Sequence, residues 1–128
     1  NSYHVFKNEN SVVLREGRYL NEKKTGPWVY YDHEGRKVEE GSYVEGKKNG
    51  TWTYWYSSGR KEEEGIYSND KRVRIWKSWW DIPDPRFPTS SRGIRKSEHI
   101  FERTDEEEPR CWNYWDSEGV KINGVRSV

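Results

Sequence analysis

Apolar and polar positions alternate with period two through short segments such as Thr51-Trp52-Thr53-Tyr54-Trp55, the pattern of half-buried β-strands. Clusters of Gly, Asn, Asp and Ser separate these segments. Lys48-Asn49-Gly50-Thr51 reads as a hairpin turn, while Asp32-His33-Glu34-Gly35, Tyr56-Ser57-Ser58-Gly59 and Asp116-Ser117-Glu118-Gly119 read as the reversals between hairpins. The pattern repeats every 24 residues: Trp28, Trp52 and Trp76 keep that interval, as do Gly17, Gly41 and Gly65, and Tyr19, Tyr43 and Tyr67. The expected fold is all-β, a single-layer antiparallel meander of repeated hairpins.

The repeats divide the chain as 1–16 (partial), 17–40, 41–64, 65–80 (degenerate) and 99–128 (partial). Tyr3–Lys7 and Val12–Leu20 extend the array forward, and Cys111–Gly119 restores its pattern near the end. Trp112 follows Trp76 by 36 residues, so about 12 have been inserted. The expected insertion is 81–98, a Pro-rich excursion from the sheet, because proline cannot donate to a ladder. Arg74, Ser78 and Pro83 replace the glycine, aromatic and turn glycine of the intact repeats.

Within the Trp strands, alternation divides the aromatics between two faces. Trp28, Tyr30, Trp52, Tyr54, Tyr56, Trp76, Trp80, Trp112 and Tyr114 share one. Tyr31, Trp55, Trp79 and Trp115 share the other, with Val29, Thr53, Lys77 and Asn113. One column must be structural and the other partly exposed, and alternation alone leaves open which is which. A row of exposed aromatics is a candidate binding surface.

Composition sharpens this picture. Leu, Ile, Val and Phe number 21 of 128 residues, while 20 residues are aromatic, so the core must be a thin aromatic seam. The chain has no Ala, Gln or Met and only two Leu, which removes the best helix formers. A net charge of +1 argues against a dedicated nucleic-acid binder. No apolar run is long enough to span a membrane as a helix. The single cysteine, Cys111, forms no intrachain disulfide or cysteine-cluster metal site and says nothing about compartment. The chain begins at Asn1 without Met, which is compatible with processing, export included.

The repeats resemble the MORN repeat, and more closely its bacterial variant, roughly Gly-x-Tyr-x-x-Gly-Lys-x-x-Gly-x-Trp-x-Tyr-Tyr-x-x-x-Gly. Gly17-Arg-Tyr19 through Gly26-Pro-Trp28-Val-Tyr-Tyr31 to Gly35 carries the match, and Gly41 through Gly50 to Gly59 carries it again. The resemblance covers about two-thirds of the chain. It implies a repeat-sheet fold and, since proteins with this variant are often labelled antitoxins, an immunity or antitoxin role.

No catalytic chemistry stands out. His4, His33 and His99 are scattered without metal-ligand spacing. Glu62–Glu64 and Asp105–Glu108 lack the alternating oxygen donors and turn glycine of a cation loop. Ser90 and Ser91 have no His and acid partner near in sequence. The sequence therefore predicts no catalytic residues, no cofactor and no metal. The densest binding-like features are Trp79, Trp80, Arg86, Phe87 and Arg92 around the insertion, with Trp55 and Trp115 on the second face. The expected function is a non-enzymatic module that docks a protein partner through these residues. Two other classes stay open: a structural subunit that self-associates through sheet edges, and a binder of sugars or anionic lipid headgroups at a membrane.

Overall fold

A computed structural model of the chain describes residues 1–101 and 111–126; the acidic run 105–108 and the Trp112 side chain lie outside the described residues. The strands are β1 (Ser2–Lys7), β2 (Val13–Leu20), β3 (Lys23–Tyr31), β4 (Lys37–Val44), β5 (Lys47–Trp55), β6 (Lys61–Ser68), β7 (Lys71–Pro83), β8 (Gly93–Phe101), β9 (Cys111–Trp115) and β10 (Lys121–Arg126). They form one open sheet in sequence order, each strand antiparallel to the next. No helix occurs among the described residues. The expected single-layer meander is the observed architecture.

Two kinds of turn alternate along it. Asn21-Glu22, Glu45-Gly46 and Asn69-Asp70 are two-residue turns with positive φ at both residues, the geometry whose twist matches the strands it joins. The expected turn at Lys48–Thr51 is thereby corrected, because the reversal lies at Glu45-Gly46 and Asn49-Gly50 belongs to β5. Gly50 uses its positive φ of 84° for another purpose, a bulge in which Gly50, Thr51 and Trp52 face the single residue Gly41. The second kind of turn spans five residues. Asp32, Tyr56 and Asp116 each accept from the Gly three residues on, and the structure bears out all three expected reversals. Asn8–Val12 is the same turn with Ser11 in the left-handed position, at φ 64°.

The bulge builds the core. Gly26, Gly50 and Arg74 all sit in it with positive φ, so Arg74 holds a conformation that glycine holds without strain. Beyond each of them, the indole of Trp28, Trp52 or Trp76 lies on the backbone of Gly17, Gly41 or Gly65. A Cβ on any of these glycines would stand 2.1–2.2 Å from the ring. Each indole N–H donates at 3.0 Å to the carbonyl of the residue after that glycine: Arg18, Ser42 or Ile66. Tyr19, Tyr43 and Tyr67 meet the rings edge-on at centroid distances of 4.9–5.2 Å. The Lys24 and Lys48 ammoniums and the Arg72 guanidinium lie 5.0, 4.5 and 4.1 Å from the respective Trp rings. So enclosed, the three tryptophans are 0%, 0% and 1% exposed without a second layer. This face is the structural one. Two residues that parity places in its column leave it. Tyr56 lies past the end of β5, and Trp80 lies where three residues of β7 oppose one of β8.

The expected excursion at 81–98 is shorter than its prolines suggest. The connection between partners Tyr31 and Lys37 takes five residues, as does that between Trp55 and Lys61, whereas Trp79 and Arg95 are joined by 15. Ten residues have thus been added to one reversal. Its ends are zipped to Pro83↔Gly93, so only 84–92 leaves the sheet. Strand β8 is a full repeat strand in which His99 and Phe101 occupy the positions of Gly41 and Tyr43. His99 packs where the other repeats need glycine, against Tyr114 at a centroid distance of 5.7 Å.

Gly41→Ala is expected to cost about 3–5 kcal/mol, comparable to losing the Trp52 side chain. Gly50→Ala should cost only about 1–2 kcal/mol, for its left-handed backbone. Urea unfolding followed by Trp fluorescence compares them, and equal costs would refute the Trp-on-Gly contact as the organising one. A second expectation concerns pH. Burial lowers the His99 pKa, partly opposed by Glu63. The native state therefore resists its protonation, and the resulting stability loss sets in as pH falls below the ordinary value of about 6.5. Between pH 7.5 and pH 5.5, His99→Phe should show a shallower fall in urea midpoint than the wild-type chain (about the span in which histidine titrates).

Candidate functional site

The second face of the sheet is polar and regular. Glu16, Glu40, Glu64 and Glu98 recur across one row, separated by Val29, Thr53 and Lys77 on the strands between them. A parallel row pairs an aromatic with a cation in each hairpin after the first: Tyr31 with Lys37, Trp55 with Lys61, Trp79 with Arg95, and Trp115 with Lys121. Ion pairs tie the rows together at Lys37–Glu40 (3.3 Å), Lys61–Glu64 (3.0 Å) and Arg95–Glu98 (2.9 Å). Thr53 also donates to Glu64 at 2.8 Å. These two bonds and the Lys61 charge outweigh partial burial and hold the Glu64 carboxyl below its ordinary pKa.

At Trp79 this regular surface meets the enlarged reversal. Asp84-Pro85-Arg86-Phe87 and Phe87-Pro88-Thr89-Ser90 are consecutive turns, closed by Phe87 N–H to the Asp84 carbonyl (2.9 Å) and Ser90 N–H to the Phe87 carbonyl (3.0 Å). Proline occupies the second position of each, where its fixed φ suits a turn. Lys61 N–H donates to the Ser91 carbonyl at 2.9 Å, fastening the segment to β6. Gly93 lets it return to the sheet, because a Cβ there would lie 2.3 Å from the Trp80 carbonyl oxygen.

Segment and sheet enclose a small cavity of about 70 Å³, lined by Trp79, Asp84, Arg86, Phe87, Arg92 and Arg95 beside Gly93. Asp84 is buried and saturated: Oδ1 accepts from the Arg86 N–H (3.0 Å) and Nε (3.1 Å), and Oδ2 from Nη2 (2.9 Å). The Arg86 side chain, then its backbone N–H, holds the Asp84 carboxyl below its ordinary pKa, with help from the Arg92 charge. Arg95 gives Nη1 to Glu98 and stands 5.4 Å from the Trp79 ring and 5.6 Å from that of Trp115. Its Nε is buried and has no acceptor among the described residues. The Arg92 guanidinium makes no ion pair among the described residues. The Arg92 guanidinium and the Arg95 Nε thus lack protein acceptors among the described residues, at a cavity with aromatic walls.

Of the seven residues singled out from sequence, Trp79, Arg86, Phe87 and Arg92 meet at this cavity, while Trp55, Trp80 and Trp115 do not line it. Trp79, a candidate docking residue from sequence, is only 2% exposed and offers little surface of its own, since Arg95 and the added segment pack against it. Phe87 is 52% exposed. Trp80 donates its indole N–H to the Trp115 carbonyl at 3.1 Å and carries Lys96 at 4.7 Å from its ring, in a structural tie between β7 and β9. Trp55 borders a separate open groove of about 420 Å³ with Arg36 and Lys37. Sequence reasoning missed Asp84 and Arg95. For Arg95 a signal was present, because Arg95-x-x-Glu98 repeats the spacing of Lys37-x-x-Glu40 and Lys61-x-x-Glu64.

No family model, curated protein or solved structure matches this chain.

If Asp84 anchors the added segment, Asp84→Asn should loosen it locally and leave the sheet alone. Trypsin is expected to cut after Arg86 and Arg92 several-fold faster in the variant, at an unchanged urea midpoint. Unchanged cutting rates would mean that the turns hold the segment without this carboxylate.

Proposed function

We propose that this chain is a non-enzymatic protein-binding module that docks a protein partner at the corner formed by 84–92 and the adjacent aromatic–cation row. One observation carries the reading: the enlarged reversal between β7 and β8 brings an exposed Phe87 together with Arg86, Arg92 and Arg95 at a cavity. Aromatic and Arg side chains are the groups most enriched where protein interfaces concentrate their energy. The segment is also pinned by turns and by its bond to β6, so little conformational entropy is lost when a partner orders it. The row beside it, with Trp55 and Trp115 half-buried under Lys37 and Lys121, offers a rim of mixed charge. The resemblance of the repeats to the MORN variant adds an immunity or antitoxin role, with a toxin as the partner.

Affinity capture from the native source, with wild-type protein against Phe87→Ala and a remote Leu20→Ser control, tests the reading. Loss of about 1.5–2 kcal/mol at a central aromatic, roughly a 10- to 30-fold weaker complex, is expected for Phe87→Ala only. A partner held equally by all three proteins would move the docking surface elsewhere.

A further inference from the structure

We propose that the cavity beside Trp79 is a carboxylate-binding site, and that its occupant is an Asp or Glu side chain on an acidic segment of the protein partner. The inference rests on the protein-binding reading for the source of that side chain. The chemistry rests on the cavity itself.

The buried Arg95 Nε–H has no acceptor among the described residues, although buried donors are almost always paired. Its guanidinium cannot turn freely to find one, because Glu98 holds Nη1 and the rings of Trp79 and Trp115 flank it. Nε has almost no surface open to solvent, so an acceptor reaches it from the cavity only as the neighbouring side chains of the lining give way. Arg92, which also lines the cavity, brings a second guanidinium, and this one makes no ion pair among the described residues. Two convergent guanidiniums suit an oxyanion, and a carboxylate can accept from both.

Charge selects the type of oxyanion. Arg86, Arg92 and Arg95 bring three positive charges, against one each on Asp84 and Glu98. The balance of one positive charge matches a monoanion and leaves a phosphate dianion in excess. Size agrees, since about 70 Å³ admits a carboxylate and its methylene, with Phe87 and Trp79 beside the stem. An extended polyanion is disfavoured for another reason. The row of Glu40, Glu64 and Glu98 pairs with Lys37, Lys61 and Arg95 on the adjoining sheet, so a nucleic-acid backbone or an anionic membrane laid on these rows would meet paired carboxylates and no surplus of positive charge. A single inserted acidic side chain avoids them.

The test is an NMR titration of the whole chain that follows the Arg95 Nε–H and the Trp79 indole N–H. The probes are sodium acetate, inorganic phosphate, and a blocked hexapeptide with one central Glu, at constant ionic strength made up with chloride. Acetate is expected to shift both resonances saturably, half-saturating on the order of 10 mM, and the peptide should bind more tightly through its added contacts. Arg92→Gln, at an exposed position outside the sheet, should weaken acetate binding about tenfold, the loss expected of one charged hydrogen bond, while the Trp76 indole resonance stays in place. No saturable response to acetate, or phosphate saturating at lower concentration than acetate, would overturn the proposal. The same Arg92→Gln protein in the capture experiment separates this site from the broader reading. A complex lost with Phe87→Ala yet unaffected by Arg92→Gln would overturn the carboxylate site and leave the docking surface. Acetate binding with no captured partner would do the reverse.

Discussion

A single-layer sheet has no opposing layer to keep its largest side chains dry, and the contact between tryptophan and glycine is how this chain meets that constraint. Trp28, Trp52 and Trp76 lie flat on glycines of the preceding strand, so near that a methyl group could not be placed between. The bulges at Gly26, Gly50 and Arg74 lead into this approach, and the edge-on tyrosines close the sides. Removing any of these elements opens the indole to water. Their common 24-residue spacing follows from that dependence, because they function only as a set.

The charged residues complete what a second layer would supply. Lys48 donates to Glu39 and Tyr54 while covering Trp52, and Arg72 makes a two-pronged contact with Glu63 while covering Trp76. The methylene stems of such side chains shield apolar surface while their heads stay hydrated. A composition of 35% charged and 16% aromatic residues is thus consistent with a packed fold, with little demand for aliphatic side chains. Burial, followed by the neighbouring hydroxyl of Tyr30 or Tyr67, pushes the phenols of Tyr43 and Tyr54 well above their ordinary pKa.

Much of this was readable in advance because its causes are local and recur. The fold class, the column of Trp28, Trp52 and Trp76, and the five-residue reversals all follow from spacing and turn chemistry. What was misread depends on competition between equally plausible local signals. Asn49-Gly50 and Glu45-Gly46 both permit positive φ, and only the strand register assigns the hairpin to the second. Prolines at 83, 85 and 88 concealed that the reversal is zipped at its base, since Pro83 takes the last ladder position of β7 and needs no further donor. Alternation left open whether Trp79 is buried, because the side chains that bury it, Arg95 and the added segment, come from beyond the break in the repeat. The cavity was half legible. Its aromatics and two of its arginines were visible as a cluster, while Asp84 and Arg95 acquire their roles only through the pairing of β7 with β8.

The repeat also explains why recognition should concentrate where it is broken. Within intact repeats the cations already have work inside the fold. Lys37 and Lys61 pair with Glu40 and Glu64, Lys48 and Arg72 pair with Glu39 and Glu63, and Lys24 is engaged by the Tyr30 hydroxyl and three aromatic rings. Half-exposed pairs of this kind contribute little to a new partner, which must strip water from both charges and outbid the existing contact. The stretch added between Trp79 and Arg95 brings in Arg86 and Arg92 with Asp84 beside them, while its other carboxylate, Asp81, is held by Arg60. The Nε edge of Arg95 is also left without an acceptor among the described residues. A repeat that neutralises itself makes a stable but unselective surface, and an insertion that arrives with surplus positive charge gives one point on it a preference.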